Sequence, residues 1–291
     1  MNNKRLFVAI TDKCNLRCTY CRTGKSWYDS FGGRNINKVF PIEKWSKIID
    51  YCTQHHISKV FLTGGEPFEY ERLNDLILFL NSHNLEVTIF TNGLSNKNSL
   101  FYEFIRKNLN LKINIFLSVE LNTNLQKTFK KNILPIQFIS EINKLSLPLN
   151  IKFVLTPQMI NLNDSIGESL EWWSQYQIKS IRFQPVVPVV SKSFELSNES
   201  ICLIDELIEI KKNKSFGDHF LRNSFEYLDS LKKFILSKEL PYKLIEKCPA
   251  KENINFMDQI GNIYNCKSLY NKNDKKKCEE VFDLNCFCFL K

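Results

Sequence analysis

Long apolar runs are missing from this 291-residue chain. Crossing a bilayer as a helix takes about 20 consecutive apolar residues, so no membrane partner is expected. The N-terminal Met1-Asn2-Asn3-Lys4-Arg5 carries charge, but no apolar stretch of signal-peptide length and no small-residue cleavage site follow it. A reducing, cytoplasmic location is therefore expected, where cysteines serve as ligands, catalytic thiols or core residues rather than as disulfides. Histidine is scarce. His55, His56, His83 and His219 lie at predicted helical positions without ligand spacing. No internal repeat and no low-complexity linker interrupts the chain. Nor does one sign of charge dominate: 40 Lys and Arg stand against 31 Asp and Glu, a formal +9. The basic residues are spread out, with the densest cluster at Lys275-Lys276-Lys277. So short a run is ordinarily a solvated face, although a basic surface also suits an anionic substrate or an acidic electron-donor protein. No nucleic-acid-binding module accompanies the charge, and no nucleic-acid partner is expected.

The chain does have ample material for a core, 43% hydrophobic and 13% aromatic. Its length allows one large domain, or one domain with a small appendage. From Leu6 to about Pro185 strand and helix patterns alternate. The runs Leu6–Thr11, Lys59–Thr63, Glu86–Thr91, Lys112–Val119, Asn150–Thr156 and Ser180–Pro185 are rich in Val, Ile and Phe and read as strands. Helical stretches fall between them at Pro41–His55, Glu71–Ser82, Asn98–Asn108, Pro135–Leu145 and Asp164–Tyr176. Six βα units predict an α/β fold, a parallel sheet curled into a partial (β/α)6 barrel with every strand's C-terminal end on one rim. Helices are expected at Asn198–Asn213 and Leu221–Ser237, and a hairpin around Asp258–Asn262. The expected division is a core over residues 1–190, a helical connection over 191–240 and a cysteine-bearing region over 241–291.

Ten cysteines remain to be explained. Three of them, Cys14, Cys18 and Cys21, stand at C-x3-C-x2-C spacing directly after the first strand. Three thiolates in one short loop can hold three irons of a [4Fe–4S] cube and leave the fourth open to a substrate or cofactor. Structural zinc takes four ligands in paired arrangements, and no fourth lies near this loop. The alternative is a zinc-binding scaffold with no enzymatic role. Gly64-Gly65-Glu66-Pro67 ends the second strand, Thr91-Asn92-Gly93 the third, and Ser118-Val119-Glu120 the fourth. All fall on the predicted rim.

The cysteine loop and the Gly-Gly-Glu-Pro segment together resemble the radical S-adenosylmethionine (radical SAM) superfamily. The resemblance implies that Cys14, Cys18 and Cys21 ligate a [4Fe–4S] cluster whose open iron binds the amino and carboxylate groups of S-adenosylmethionine (SAM). One electron from the cluster then splits SAM to a 5′-deoxyadenosyl radical. It further implies that Gly64, Gly65 and Glu66 hold the SAM amino group and that Ser118 meets the ribose. Lys130 falls where relatives place a base facing the SAM carboxylate, with Lys131 as the neighbouring register. Asn92 is a polar lining residue, and Glu120 is equally assignable to substrate. An electron donor such as flavodoxin or ferredoxin is implied.

The tail reads Cys248-Pro249-Ala250, then Gly261 and Cys266 at C-x12-G-x4-C spacing. This resembles the opening of the SPASM and Twitch extensions, which hold auxiliary [4Fe–4S] clusters. Cys286 and Cys288 are the favoured completing ligands, with Cys278 left as a ligand, a hydrogen-atom donor or a bystander. The full SPASM C-x2-C-x5-C-x3-C block is absent, so one auxiliary cluster of the Twitch type is the ceiling, and zinc is the alternative there. The core also resembles that of the molybdenum-cofactor GTP cyclase, without its C-terminal Gly-Gly. Because the first strand begins within ten residues of Met1, a peptide substrate would be recognised by the barrel, the tail or a separate protein. Cys52 and Cys202 sit on apolar helical faces and are expected in the core. The expected activity is hydrogen abstraction from a peptide or peptide-like substrate, an oxidoreductase-type maturation ending in oxidation, crosslinking or epimerisation. A small-molecule dehydrogenase or epimerase acting on a sugar or alcohol is the alternative.

Overall fold

A computed structural model describes residues 4–21, 38–162, 164–186, 192–217, 220–237 and 254–264. The alternation read from the sequence becomes strands β1 (Arg5–Thr11), β2 (Lys59–Gly64), β3 (Glu86–Thr91), β4 (Ile113–Val119), β5 (Leu149–Leu155) and β6 (Ser180–Pro185). Between them lie α1 (Trp45–Gln54), α2 (Leu73–Ser82), α3 (Asn98–Lys107), α4 (Thr123–Lys130), α5 (Ile136–Lys144) and α6 (Ile166–Ser174). After β6 come α7 (Ile201–Asn213), α8 (Phe225–Ser237) and the short strands β7 (Ile254–Met257) and β8 (Ile263–Tyr264).

The sheet order is β6-β5-β4-β3-β2-β1-β7-β8. Strands β1 to β7 pair in parallel, and only β8 runs antiparallel, against β7. Parallel strands require crossovers, and the helices supply them. One face of each strand packs beneath those helices: Leu6, Val8, Val60, Leu62, Val87, Ile89, Ile115 and Leu117 are fully buried. Each such side chain contributes about 1.5–3 kcal/mol through removal of apolar surface from water. The opposite face lines an interior that remains partly open. Phe7, Phe61, Phe90 and Phe116 lie on it, half-buried, with stacked ring pairs at 4.7 Å (Phe7–Phe61) and 4.9 Å (Phe90–Phe116).

The expected hairpin around Asp258–Asn262 is present, but its place in the fold was not legible. Strand β7 adds to the free edge of β1, in register from Arg5 opposite Ile254 to Val8 opposite Met257. Helix α4 is an element that apolar periodicity does not announce, having only Leu125 and Phe129 as buried apolar residues. Its start is set by Asn122, whose side chain accepts from the Leu125 N–H at 3.0 Å. Cys52 is buried as expected. Cys202 corrects its expectation: it is exposed, and its thiol donates to Glu199 O at 3.1 Å. The apolar face of α7 runs instead through Leu203, Ile204 and Leu207.

Candidate functional site

Strand β1 ends at Thr11, and the cysteine loop leaves it on the C-terminal rim. The loop is fastened from several sides. The Gly65 N–H donates to Thr11 O at 2.7 Å and the Glu66 N–H to Lys13 O at 2.8 Å, extending the β1–β2 pairing into the loop. Glycine is required here because the loop backbone occupies the space a side chain would take. A Cβ at Gly64, where φ is +142°, would stand 2.1 Å from Thr11 O, and one at Gly65 would stand 2.2 Å from Lys13 O. Farther along, Asn15 donates to Leu94 O at 2.8 Å and accepts from the Asn92 side chain at 2.9 Å. The Thr19 N–H donates to Phe129 O at 2.9 Å, binding the loop to α4. Asn92 is thus a buried strut between β3 and the loop.

Cys14, Cys18 and Cys21 are thiols rather than disulfides. Cys14 is open on one side and accepts from the Leu16 N–H at 3.4 Å; Cys18 and Cys21 are half-buried. Surrounding protein pushes the Cys14 and Cys18 thiols up to about 12, and the charge that Cys21 would carry adds to the push on both. Lys130 pulls Cys18 the other way. Such thiols are neutral at pH 7 until a cation stabilises the thiolate, the condition a bound metal cluster meets. Among the described residues no three Cys, His, Asp or Glu side chains converge as ligands of a single ion. A cube instead takes one thiolate on each of three irons, and the donor set of this loop fits that group.

Glu66 differs from its expected part. Its carboxylate is fully buried and faces strand β3 rather than the open rim. One oxygen accepts from the Thr91 hydroxyl at 2.7 Å and the Phe68 N–H at 3.2 Å, the other from the Asn92 N–H at 2.8 Å. Burial raises its pKa to about 7 against the pull of these three donors. Glu66 therefore braces the Gly64-Gly65 turn against β3.

At the end of β4 the Lys130 ammonium donates to Ser118 O at 2.5 Å and lies 3.7 Å from the Glu120 carboxylate. The side chains of both Lys130 and Glu120 are buried. Tyr20, between Cys18 and Cys21, donates its hydroxyl to the same Glu120 oxygen. Burial pushes the Glu120 carboxyl up, while Lys130, Tyr20 and Lys152 pull it back. Its second oxygen has no hydrogen-bond partner. Of the two lysines, Lys131 is exposed at the helix end with φ +54°, and Lys130 is buried facing the strand ends.

Residues to which motif reading gave no role include Asn15, Tyr20 and Thr91. The first two lie inside the cysteine spacing, and a polar or aromatic residue between ligands was the available signal. From the tail, buried Gln259 donates its side-chain N–H to Asp12, two residues before Cys14. Cys248, Cys266, Cys278, Cys286 and Cys288 lie outside the described residues. Hollows of ≈ 650 and ≈ 780 Å³ open around Leu147 and Pro148, at the N-terminal ends of the strands and away from this rim. No helix among the described residues is long and apolar enough to cross a membrane.

Comparison with known proteins agrees with this construction. The family model for the Radical SAM superfamily matches residues 8–136. GTP 3′,8-cyclase of Staphylococcus aureus is 25% identical over 275 residues, covering 90% of this chain and 77% of its own length. Streptococcus suis SuiB, solved with S-adenosylmethionine bound, superposes with a TM-score of 0.69 at 17% identity, over 100% of this chain and 66% of that one. The anSMEcpe structure with bound AdoMet gives 0.66 at 17% identity, over 90% of this chain and 74% of its own. The chain thus spans about two thirds of the length of SuiB. By sequence match over residues 8–136 and by fold, the chain is similar to radical SAM proteins.

Proposed function

We propose that the protein is a radical SAM enzyme that abstracts hydrogen from a peptide or peptide-like substrate in an oxidation, crosslinking or epimerisation. The observation that carries this reading is the docking of the Cys14–Cys21 loop onto the Gly64-Gly65 turn at the strand ends, beside Asn92, Ser118 and Lys130. In this reading Cys14, Cys18 and Cys21 hold the [4Fe–4S] cluster. The Gly64–Glu66 backbone, Asn92, Ser118 and Lys130 line the SAM site. When bound, cluster and SAM supply one electron and a 5′-deoxyadenosyl radical, and the difficult chemistry is theirs. The chain's own work is orientation and shielding. The strand ends hold the reacting groups in fixed relation, and the aromatic interior formed by Phe7, Phe61, Phe90 and Phe116 excludes water that would divert a radical.

The tail, taken as a Twitch-like region over 241–291, would hold one auxiliary [4Fe–4S] cluster through Cys248, Cys266, Cys286 and Cys288. Cys278 is the proposed hydrogen donor should the outcome be epimerisation. A flavodoxin or ferredoxin is the proposed electron donor. Peptide chemistry is supported by likeness of fold to SuiB, solved with its precursor peptide SuiA, and to anSMEcpe, solved with peptides. A second reading, a small-molecule substrate, is favoured by the sequence identity with GTP 3′,8-cyclase across most of the chain.

The test is iron and sulfide content after anaerobic reconstitution, in wild type and in a Cys14/Cys18/Cys21→Ala variant, with 5′-deoxyadenosine measured alongside. About eight irons falling to about four, with SAM cleavage lost, is expected for two clusters. About four falling to near zero removes the auxiliary cluster, and a colourless zinc protein without SAM cleavage removes the enzyme. GTP raising 5′-deoxyadenosine formation above the substrate-free rate would favour the second reading.

A further inference from the structure

The interior has two unlike walls. The rings of Phe7, Phe61, Phe90 and Phe116 form one across β1 to β4. Side chains alternate along a strand, so register identifies the other. Phe116 pairs with Asn150 and Asn150 with Ser180, which shares the interior face through its hydroxyl bond to Asn150 at 2.7 Å. Two residues farther up, Ser118 pairs with Lys152 and Lys152 with Arg182, in one lateral row on that same face. Strands lie about 4.8 Å apart, so the Arg182 backbone is about 10 Å from that of Ser118. Beyond β6 the chain returns as a short parallel partner: Ile181 bridges Leu221, the Ile181 N–H donates to Phe220 O at 2.6 Å, and the Arg222 N–H donates to Ile181 O at 2.8 Å. Arg222 thereby falls beside Arg182. Arg5, at the start of β1, lies over the Phe61 ring with its guanidinium carbon 5.8 Å from the centroid, and so reaches the same interior.

Among the described residues, none of these three guanidiniums has a carboxylate partner. Glu86, on β3, is committed to Lys59 at 2.8 Å and to the Asn114 amide, and Glu120, just beyond β4, to Lys130 and Tyr20. Burial presses Arg182 downward from its usual range, Tyr227 pulls it back up, and the positive charges of Arg222 and Arg5 press it down again, so the cations are close enough to repel. Arginines gathered without a counter-charge repel one another, and a ligand oxyanion offering paired oxygens relieves that repulsion.

We propose that Arg182 and Arg222, with Arg5, form a subsite in the interior that binds an oxyanion group carried by the substrate, a carboxylate or a phosphate, beside the Ser118 row. This deepens the proposed function and rests on it only in calling the bound molecule a substrate.

The experiment is calorimetric titration of the reconstituted full-length chain with pyrophosphate and, separately, with glutarate, at matched ionic strength. At least one anion should bind saturably, with affinity about tenfold or more lower in Arg222→Gln, as loss of a charge-assisted hydrogen bond requires. Arg182→Gln should weaken it likewise. Residue 222 is exposed, so its variant keeps the test valid should Arg182→Gln fail to fold. Tighter pyrophosphate binding assigns a phosphate-bearing substrate, and tighter glutarate binding a carboxylate-bearing one. Binding of neither anion beyond a sodium chloride control, or binding unchanged in Arg222→Gln, overturns the subsite. Anion binding without any SAM cleavage would leave the subsite standing and remove the proposed function. SAM cleavage without anion binding would do the reverse.

Discussion

Replacing Gly65 with Ala should detach the cysteine loop from the barrel. The added Cβ would lie 2.2 Å from Lys13 O, 2.6 Å from Lys13 C and 2.7 Å from Asp12 O, all backbone atoms with no rotamer to escape into. Ordinary contact begins near 3.4 Å, so the loop must withdraw by roughly 1 Å. That withdrawal breaks the Gly65–Thr11 and Glu66–Lys13 hydrogen bonds, now 2.7 and 2.8 Å long. Overpacking costs about 1–3 kcal/mol and the two bonds about 1 kcal/mol each, for a total of about 3–5 kcal/mol. Gly167 is the control: in helix α6 its Cβ would meet nothing nearer than Ser165 Oγ at 3.7 Å, and Ala there should be neutral or stabilise by up to about 1 kcal/mol. Urea unfolding of the metal-free proteins measures the cost, and iron content after reconstitution measures whether the three thiols still hold a cluster. Gly65→Ala should lose both stability and iron, and Gly167→Ala neither. A Gly65→Ala protein with wild-type urea midpoint and iron content would refute the argument that backbone proximity dictates the Gly-Gly turn.

Two further outcomes follow from buried charge. Glu66 has its pKa raised to about 7 from an ordinary 4.5, so the folded state holds its proton more tightly than the unfolded chain. That contribution is full below pH 4.5 and is lost as pH rises to about 7, a change of about 3 kcal/mol. The stability difference between wild type and Glu66→Gln, followed by urea unfolding of the metal-free proteins, should therefore shift against wild type between pH 5 and 8. A pH-independent difference would be inconsistent with a buried Glu66 carboxyl. Glu120→Gln leaves the Lys130 ammonium buried without its counter-charge and should cost about 3–5 kcal/mol. Adding Lys130→Met should recover most of that loss, and a strictly additive double variant would show the pair uncoupled.

Much of this architecture is written locally. The β-rich runs and the amphipathic stretches between them set six βα units, because alternation and the 3.6 period depend only on neighbouring residues. Parallel strands then force every motif that ends a strand onto one rim, so Cys14, Gly64, Asn92 and Ser118 were placed by position along the chain alone. What side chains do across strands was not legible. Glu66 reads as a ligand-facing carboxylate, yet Thr91 and Asn92 lie at the end of β3, and only the sheet brings them to it. The Tyr20–Glu120–Lys130 cluster joins a loop, a strand end and a helix whose own pattern is nearly silent. Strand β7 could not be assigned to β1 from its sequence, since four residues of strand pattern do not name their partner. Arg5 is separated from Arg182 and Arg222 by most of the chain, and only the lateral register of the sheet and the return of the chain at Leu221 place the three together. Sequence set the six strands, most of the helices between them and the motif spacing through short-range periodicity. Tertiary structure decided which charges meet, because burial and neighbourhood across strands are properties of the packed sheet and not of any one segment.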